Sequence, residues 1–247
     1  MISYRHSHQA DGYGATYERT YGEGYYRVQW EEIERPLLTA VFEDLRHDGA
    51  RSLLDFACGT GRVTLLAESM FPRVVGVDVA ASMLAVARGA CRSAELIQVD
   101  LTRAALPERF DVVTAFRFFL NAEQELREGA LDAIRAVLSP GGTLLANVHV
   151  NRASPLGLAY RCRNRVTGRR TANVMGLEEM EALLTSRGFR LETVTWYSLL
   201  PRIGWLFPPG SRALMVGLER FGRLLPGRWQ RRAQSFLVRA ASTDGPR

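Results

Sequence analysis

Three aspartates stand at the ends of three successive apolar runs: Asp55 in SLLDFA, Asp78 after VVGV and Asp100 after LIQV. Between the first two lies Cys58-Gly59-Thr60-Gly61, whose glycines let the backbone bend tightly and approach a ligand with no side chain intervening. Asp78 follows Gly61 by 17 residues, the place from which a carboxylate accepts hydrogen bonds from both hydroxyls of a ribose. Asp100 can accept a bond from an adenine amino group, and Asp55 can pair with a ligand ammonium. A dinucleotide site usually keeps a third glycine so that the helix N-terminus faces pyrophosphate, and here that position is Thr64. A carboxylate just ahead of the glycines also repels pyrophosphate. The set favours a cationic nucleoside over a nicotinamide dinucleotide, which stays open as the alternative. Each aspartate also has a local explanation: Asp55 or Asp78 as a helix cap, and Asp100 as the start of a turn.

Positioning these carboxylates requires a parallel sheet. Short buried-strand runs fall at Ser52–Ala57, Val74–Val77, Leu96–Val99, Asp111–Phe116 and Thr143–Val150, and most are separated by helical patterns at Gly61–Phe71, Ala81–Cys91 and Ala122–Leu138. A fourth helix over Leu177–Arg187 and strands at Arg190–Tyr197 and Gln234–Ala240 complete the reading, with Ser139-Pro140-Gly141-Gly142 as a stop and turn. The fold class is α/β, with a doubly wound, mostly parallel sheet of seven strands. Residues 1–48, helical over Tyr13–Arg46 and rich in Tyr and Trp, read as a cap over the carboxyl edge of the sheet. The main domain then spans 49–247, with insertions at about 151–176 and 199–232. In the second insertion Leu214, Leu218, Phe221 and Leu225 share one helical face.

In this order and spacing, LLDFACGTG, VVGVDVAASML, LIQVDL, FDVVTAFRFFLN and LSPGGTLLANV resemble the class I S-adenosylmethionine-dependent methyltransferases from about Leu53 to Val150. The resemblance implies S-adenosylmethionine as cofactor, with Ala57, Cys58, Gly59 and Gly61 around its methionine part. It further implies that Asp78 with Val79 holds the ribose and Met83 covers one adenine face. Asp100 with Leu101 would meet the adenine edge, and Phe116 would form the floor near the sulfonium. Tyr17 falls in a segment similar to the lid of small-molecule members. The family usually has glycine where Ala57 stands.

Methyl transfer from a sulfonium is an in-line displacement in which alignment and water exclusion do most of the work. A hydroxyl acceptor benefits from a base, and His149 is the only histidine placed on the sheet; a packed strand histidine is the equal alternative. Arg117 and Arg152 flank the same edge and can orient an anionic substrate or pair with nearby acids. Methylation of nucleic-acid amines usually accompanies an Asn/Asp-Pro-Pro-aromatic motif, whereas Phe116-Arg117-Phe118-Phe119-Leu120-Asn121 has no proline. The partner is therefore read as a small molecule, with nucleic acid disfavoured and an RNA substrate kept as an alternative.

Composition narrows the classes further. The 247 residues contain 32 basic side chains, all arginine, so lysine-based Schiff-base chemistry and a P-loop are excluded. Residues 1–150 carry a net −5, whereas 151–247 carry +11. That excess lies in two blocks: Arg152, Arg161, Arg163, Arg165, Arg169 and Arg170, then seven arginines from Arg202 to Arg232 against the single Glu219. Together with the apolar Leu199-Leu200-Pro201 and Trp205-Leu206-Phe207-Pro208-Pro209, the second block suits a pocket roof or peripheral contact with a membrane. Cys58, Cys91 and Cys162 are too widely spaced for a zinc site or a redox pair and read as buried thiols of a reducing compartment. No metal is implied. Without a signal-peptide pattern or a long apolar run, a cytoplasmic location is expected.

Overall fold

The computed structural model describes residues 12–168, 173–199 and 212–243. Helices α1 (Tyr13–Tyr21), α2 (Gly24–Gln29) and α3 (Arg35–His47) precede the sheet, with a π-helical turn over Trp30–Glu34 between the last two. Strands β1 (Ser52–Phe56), β2 (Arg73–Asp78), β3 (Glu95–Gln98), β4 (Phe110–Ala115) and β5 (Leu138–Val148) alternate with α4 (Arg62–Glu68), α5 (Ala81–Ala90) and α6 (Gln124–Val137). Then come α7 (Pro155–Thr167), α8 (Leu177–Ser186), β6 (Phe189–Tyr197), α9 (Arg212–Arg223), α10 (Gly227–Gln230) and β7 (Ser235–Ser242). The sheet order is β3-β2-β1-β4-β5-β7-β6, parallel through β5, with β7 antiparallel to both its neighbours. Strand order reverses between β1 and β4, and an open α/β sheet binds ligands outside the carboxyl ends of its strands at that point.

Adjacent residues of β1 serve opposite faces, as the pleat requires. Leu54 and Phe56 pack with α6 and α8 through Leu131, Ile134, Met180 and Leu184, while Leu53 packs with α3 and α4 through Phe42, Leu45, Val63 and Ala67. Asp55, two residues beyond Leu53, is thereby directed beneath α4. Of the segment read as a cap, α3 packs on the sheet face; α1, α2 and the π turn lie nearer the edge, and Tyr17, Trp30 and Glu34 face the cleft there. Pro36, without an N–H, comes two residues after that widened turn.

Some local readings change. The Ser139–Gly142 turn falls inside β5 as an irregularity: Phe110 pairs with Leu138, but Val112 pairs with Thr143, and Gly141 takes a φ of 78°. The strand ends at Val148, so His149 and Val150 lie just beyond it. The first basic block contains a helix, α7, capped by the Ser154 hydroxyl accepting from Gly157 N–H at 3.0 Å and ended by Gly168 at a φ of 62°. Cys162 is exposed and Cys58 and Cys91 are part-buried, so full thiol burial does not hold. The Trp205–Pro209 run, together with Arg169, Arg170 and Arg202, lies outside the described residues.

Gly14 sets how closely the cap approaches α5. A Cβ at that position would overlap the Ser82 carbonyl and crowd the Met83 Cα. Gly14→Ala raises helix propensity by about 1 kcal/mol, yet is expected to lower the melting temperature and speed tryptic cleavage at Arg19 and Arg27, because α1 cannot seat. A variant that melts higher than wild type and resists trypsin equally well would show that this contact is not formed.

Candidate active site

The carboxyl ends of β1, β2 and β4, the loops beyond them and the cap enclose a cleft of about 1160 Å³, its open mouth included. Its walls include Tyr17, Asp55, Ala57, Cys58, Gly59, Asp78, Val79, Met83, Asp100, Leu101, Phe116 and Arg117. Gly61, His149 and Arg152 are not among the lining residues.

The loop after β1 is shaped by its neighbour strand. Asp78 at the end of β2 accepts the Gly59 N–H at 2.8 Å with one oxygen and the Ala80 N–H at 2.8 Å with the other. The first bond draws the loop toward β2, and the second fixes the turn into α5. Ala57 has a φ of 55°, in the left-handed region that costs an L-residue roughly 1–2 kcal/mol. That geometry accounts for the usual glycine at this position. Gly59, at a φ of 57°, packs close to Met83: an added Cβ would lie 3.4 Å from its Cε. Gly61 serves packing instead, since a Cβ there would come within 3.0 Å of the Ala87 Cβ.

Asp55 is almost fully buried, and its two oxygens accept the Thr64 hydroxyl at 2.6 Å and the Thr114 hydroxyl at 2.7 Å. Thr64, which stands where a dinucleotide loop keeps glycine, therefore supports the carboxylate. Burial pushes the Asp55 pKa up to about 6, outweighing the hydroxyl bonds, and the Asp78 charge adds to the rise. The same burial and both carboxylates hold the Cys58 thiol well above its ordinary range, in its neutral form. Asp100 accepts the Thr102 N–H at 3.0 Å and the Thr102 hydroxyl at 2.6 Å. The turn foreseen for Asp100 is thus present, and it places the side chain at the cleft wall.

The far end of the cleft contains a residue absent from the sequence reading. Glu34, in the π turn, is almost fully buried and lines the cleft beside Trp30. It accepts the Arg117 guanidinium at 3.1 Å, the Gln29 amide at 3.2 Å and the Tyr197 hydroxyl at 3.4 Å. Arg117 has a φ of 56° and donates its N–H to Asn147 at 2.6 Å, while Asn147 donates to the Tyr197 oxygen at 2.9 Å. Burial opposes the charge on Arg117, but Glu34 prevails and lifts its pKa above the ordinary value. Burial and the Glu34 charge likewise raise Tyr197, so its phenol keeps its proton. Arg117 also lies 5.1 Å over the Tyr21 ring, which ties β4 to the cap. Arg152 is drawn to Glu179 at 2.6 Å, away from the cleft. The His149 side chain is mostly buried, and its carbonyl accepts Gln234 and Ser235, both at 3.4 Å.

Comparison with known proteins relates the chain to methyltransferases. A family model described as a methyltransferase domain matches residues 53–142. A ubiquinone/menaquinone biosynthesis C-methyltransferase of Syntrophotalea carbinolica is 34% identical over 140 residues, covering 54% of this chain and 59% of that protein. A trans-aconitate 2-methyltransferase of Paracidovorax citrulli is 32% identical over 137 residues, covering 49% and 52%. The chain spans about half the length of these curated relatives. The crystal structure of magnesium protoporphyrin IX methyltransferase from Synechocystis with bound SAH is similar in fold, with a TM-score of 0.63 at 15% identity, covering 96% of this chain and 97% of that one.

The raised Asp55 pKa fixes the sign of a stability effect. The unfolded chain releases this proton near pH 4 and the folded chain near pH 6, so the contribution of Asp55 to stability falls as pH rises between those values. Asp55→Asn is therefore expected to gain stability relative to wild type across that window, by roughly 2–3 kcal/mol. Denaturant unfolding of both proteins at pH 4 and pH 7 measures the difference; a constant difference would mean that Asp55 titrates normally.

Proposed function

We propose that this chain, whose residues 53–142 match a methyltransferase domain, is a class I S-adenosylmethionine-dependent methyltransferase that methylates an oxygen or nitrogen of a small-molecule acceptor held beneath the N-terminal cap. The observation that carries the reading is the convergence of Asp55, Asp78 and Asp100 with the Gly59 loop on one cleft. The residues fit the cofactor chemically. A buried carboxylate with a raised pKa is suited to an ammonium, a strand-end carboxylate fixed by two backbone N–H groups to ribose hydroxyls, and the apolar Met83 side chain on the cleft wall to one face of a base. When bound, S-adenosylmethionine supplies a methyl group already activated by its sulfonium.

The protein's contribution is then alignment and exclusion of water, a combination worth up to about 7–11 kcal/mol in favourable cases. Tyr17 and Trp30 from the cap and Phe116 from the sheet supply apolar wall. On the acceptor side the positive charge of Arg117 is already matched by Glu34, which disfavours a carboxylate as the group that docks there. Glu34 is placed to accept the O–H or N–H of the acceptor and to take its proton, with Arg117 as the positioning residue that fixes its orientation. His149, outside the cleft, is the less suited base. An acceptor class of neutral alcohols, phenols or amines follows, free or linked to a lipid. In the lipid-linked case the arginine-rich segment over 212–232 meets a membrane surface.

Calorimetric titration with S-adenosylhomocysteine is expected to give heat for wild type, and Asp78→Asn is expected to weaken binding about 10- to 100-fold. Absence of heat for wild type would overturn the reading. Because an ammonium favours the ionised form of Asp55, affinity is also expected to fall as pH drops through about 6. Label transfer from S-adenosylmethionine into a small-molecule extract tests the base. Glu34→Gln is expected to reduce it by about 10²-fold with cofactor affinity retained. The same loss from His149→Ala, with Glu34→Gln unaffected, would return that role to the histidine.

A further inference from the structure

The apolar stripe of α9 does not face the protein core. The buried side of this helix is Met215, Glu219 and Gly222, where a Cβ on Gly222 would overlap the Leu199 side chain. Leu214 and Phe221, about a quarter-turn around the helix, are 53% and 60% exposed, and Leu224 and Trp229 beyond them are 83% and 51% exposed. The large side chains follow one another along the outer surface from α9 into α10.

The charge around this surface is predominantly positive, although Arg212 pairs with Glu32 of the π turn and Arg223 with Glu219. Residues 212–232 contain six arginines, all exposed, and one acid, Glu219, which is buried. The other basic helix, α7, emerges from the same edge of the sheet. Asn151, just before it, donates its side-chain amide to the carbonyls of Arg231 and Ala233, both at 2.9 Å, which fastens the start of α7 to the end of the α10 segment. Arg161, Arg163 and Arg165 of α7 are exposed, as are Leu158 and Val166, and the helix has no acid. Two helices well separated in sequence therefore present the same combination, arginine interleaved with exposed aliphatic and aromatic side chains, beside the carboxyl ends of the strands.

We propose that α7, α9 and α10 form a docking surface for an anionic lipid bilayer, with arginines on the headgroups and Leu214, Phe221 and Trp229 entering the interface. The charge identifies the occupant: a second copy of this chain would bring the same arginines together, whereas an anionic membrane satisfies both features over a broad area. Among the described residues no helix is long and apolar enough to cross a membrane, so the contact is peripheral. The proposal deepens the lipid-linked form of the function above and rests on it only for the nature of the acceptor.

The test is co-sedimentation of the full chain with phosphatidylcholine vesicles and with vesicles enriched in phosphatidylglycerol, at low and high salt. Binding is expected only to the anionic vesicles and to weaken with salt. The pair Arg161→Gln and Arg165→Gln is expected to weaken it by about fivefold per arginine. Phe221→Ser with Trp229→Ser should weaken it at least as much, while S-adenosylhomocysteine titration of each variant confirms an intact cleft. Equal binding to neutral vesicles, no binding, or binding unchanged in both pairs would overturn it. So would a dimer in light scattering that Phe221→Ser dissolves, or RNA binding with vesicles ignored. Vesicle binding without cofactor heat would instead overturn the function while leaving the surface standing.

Discussion

One carboxylate fastens two turns. Asp78 takes the Gly59 N–H from the loop after β1 and the Ala80 N–H at the entry to α5, each at 2.8 Å. Ala57, Gly59 and Gly61 all take positive φ values, and the Asp78 bond acts with those from Cys58 N–H to the Val77 carbonyl at 2.9 Å and from Gly61 N–H to the Cys58 carbonyl at 3.0 Å to hold them there. From this tie follow the course of the loop, its packing on Met83 and the position of α5, on whose first turn Gly14 of the cap rests. The cleft exists because a strand-end acid organises backbone on both sides of it.

Charge is the second constraint. Asp55 and Asp78 lie close enough for each to raise the cost of ionising the other, and Asp55 has its two oxygens on threonine hydroxyls instead of a cation. Such a site is incomplete by itself, and a positively charged ligand relieves it. The opposite end of the cleft is arranged differently. There Glu34 and Arg117 satisfy each other, and the network through Tyr197, Asn147 and Gln29 uses groups from α2, the π turn, the loop after β4, β5 and β6. One end awaits a cation and the other is already neutral. That asymmetry orients a cationic nucleoside toward β1 and β2 and leaves the cap side for the acceptor.

Much of this was legible in the sequence because it is local. The buried strands read as apolar runs, and the glycines and strand-end aspartates lie at fixed distances along the chain. What escaped depends on contacts between distant residues. Glu34 is separated from Arg117 by 83 residues and sits in a π turn, for which no simple periodicity exists. For Arg152 the sequence leaves a substrate and a nearby acid as alternative partners, and only the fold brings Glu179 beside it; His149 falls past the end of β5 where the chain turns toward Asn151 and Gln234. The helix α7 did leave a signal, Ser154-Pro155 at one end and Gly168 at the other, obscured by the density of arginines between them. The stripe on α9 was visible as a pattern, but periodicity does not tell whether such a face turns inward or outward.

The most direct measurement is a crystal structure of the chain grown with S-adenosylhomocysteine. The expected result is the ligand in the cleft with Met83 against one face of the adenine, the ribose hydroxyls on Asp78 and the ammonium beside Asp55. Density for the ligand elsewhere, or an empty cleft with Asp55 and Asp78 turned onto arginine side chains, would contradict it.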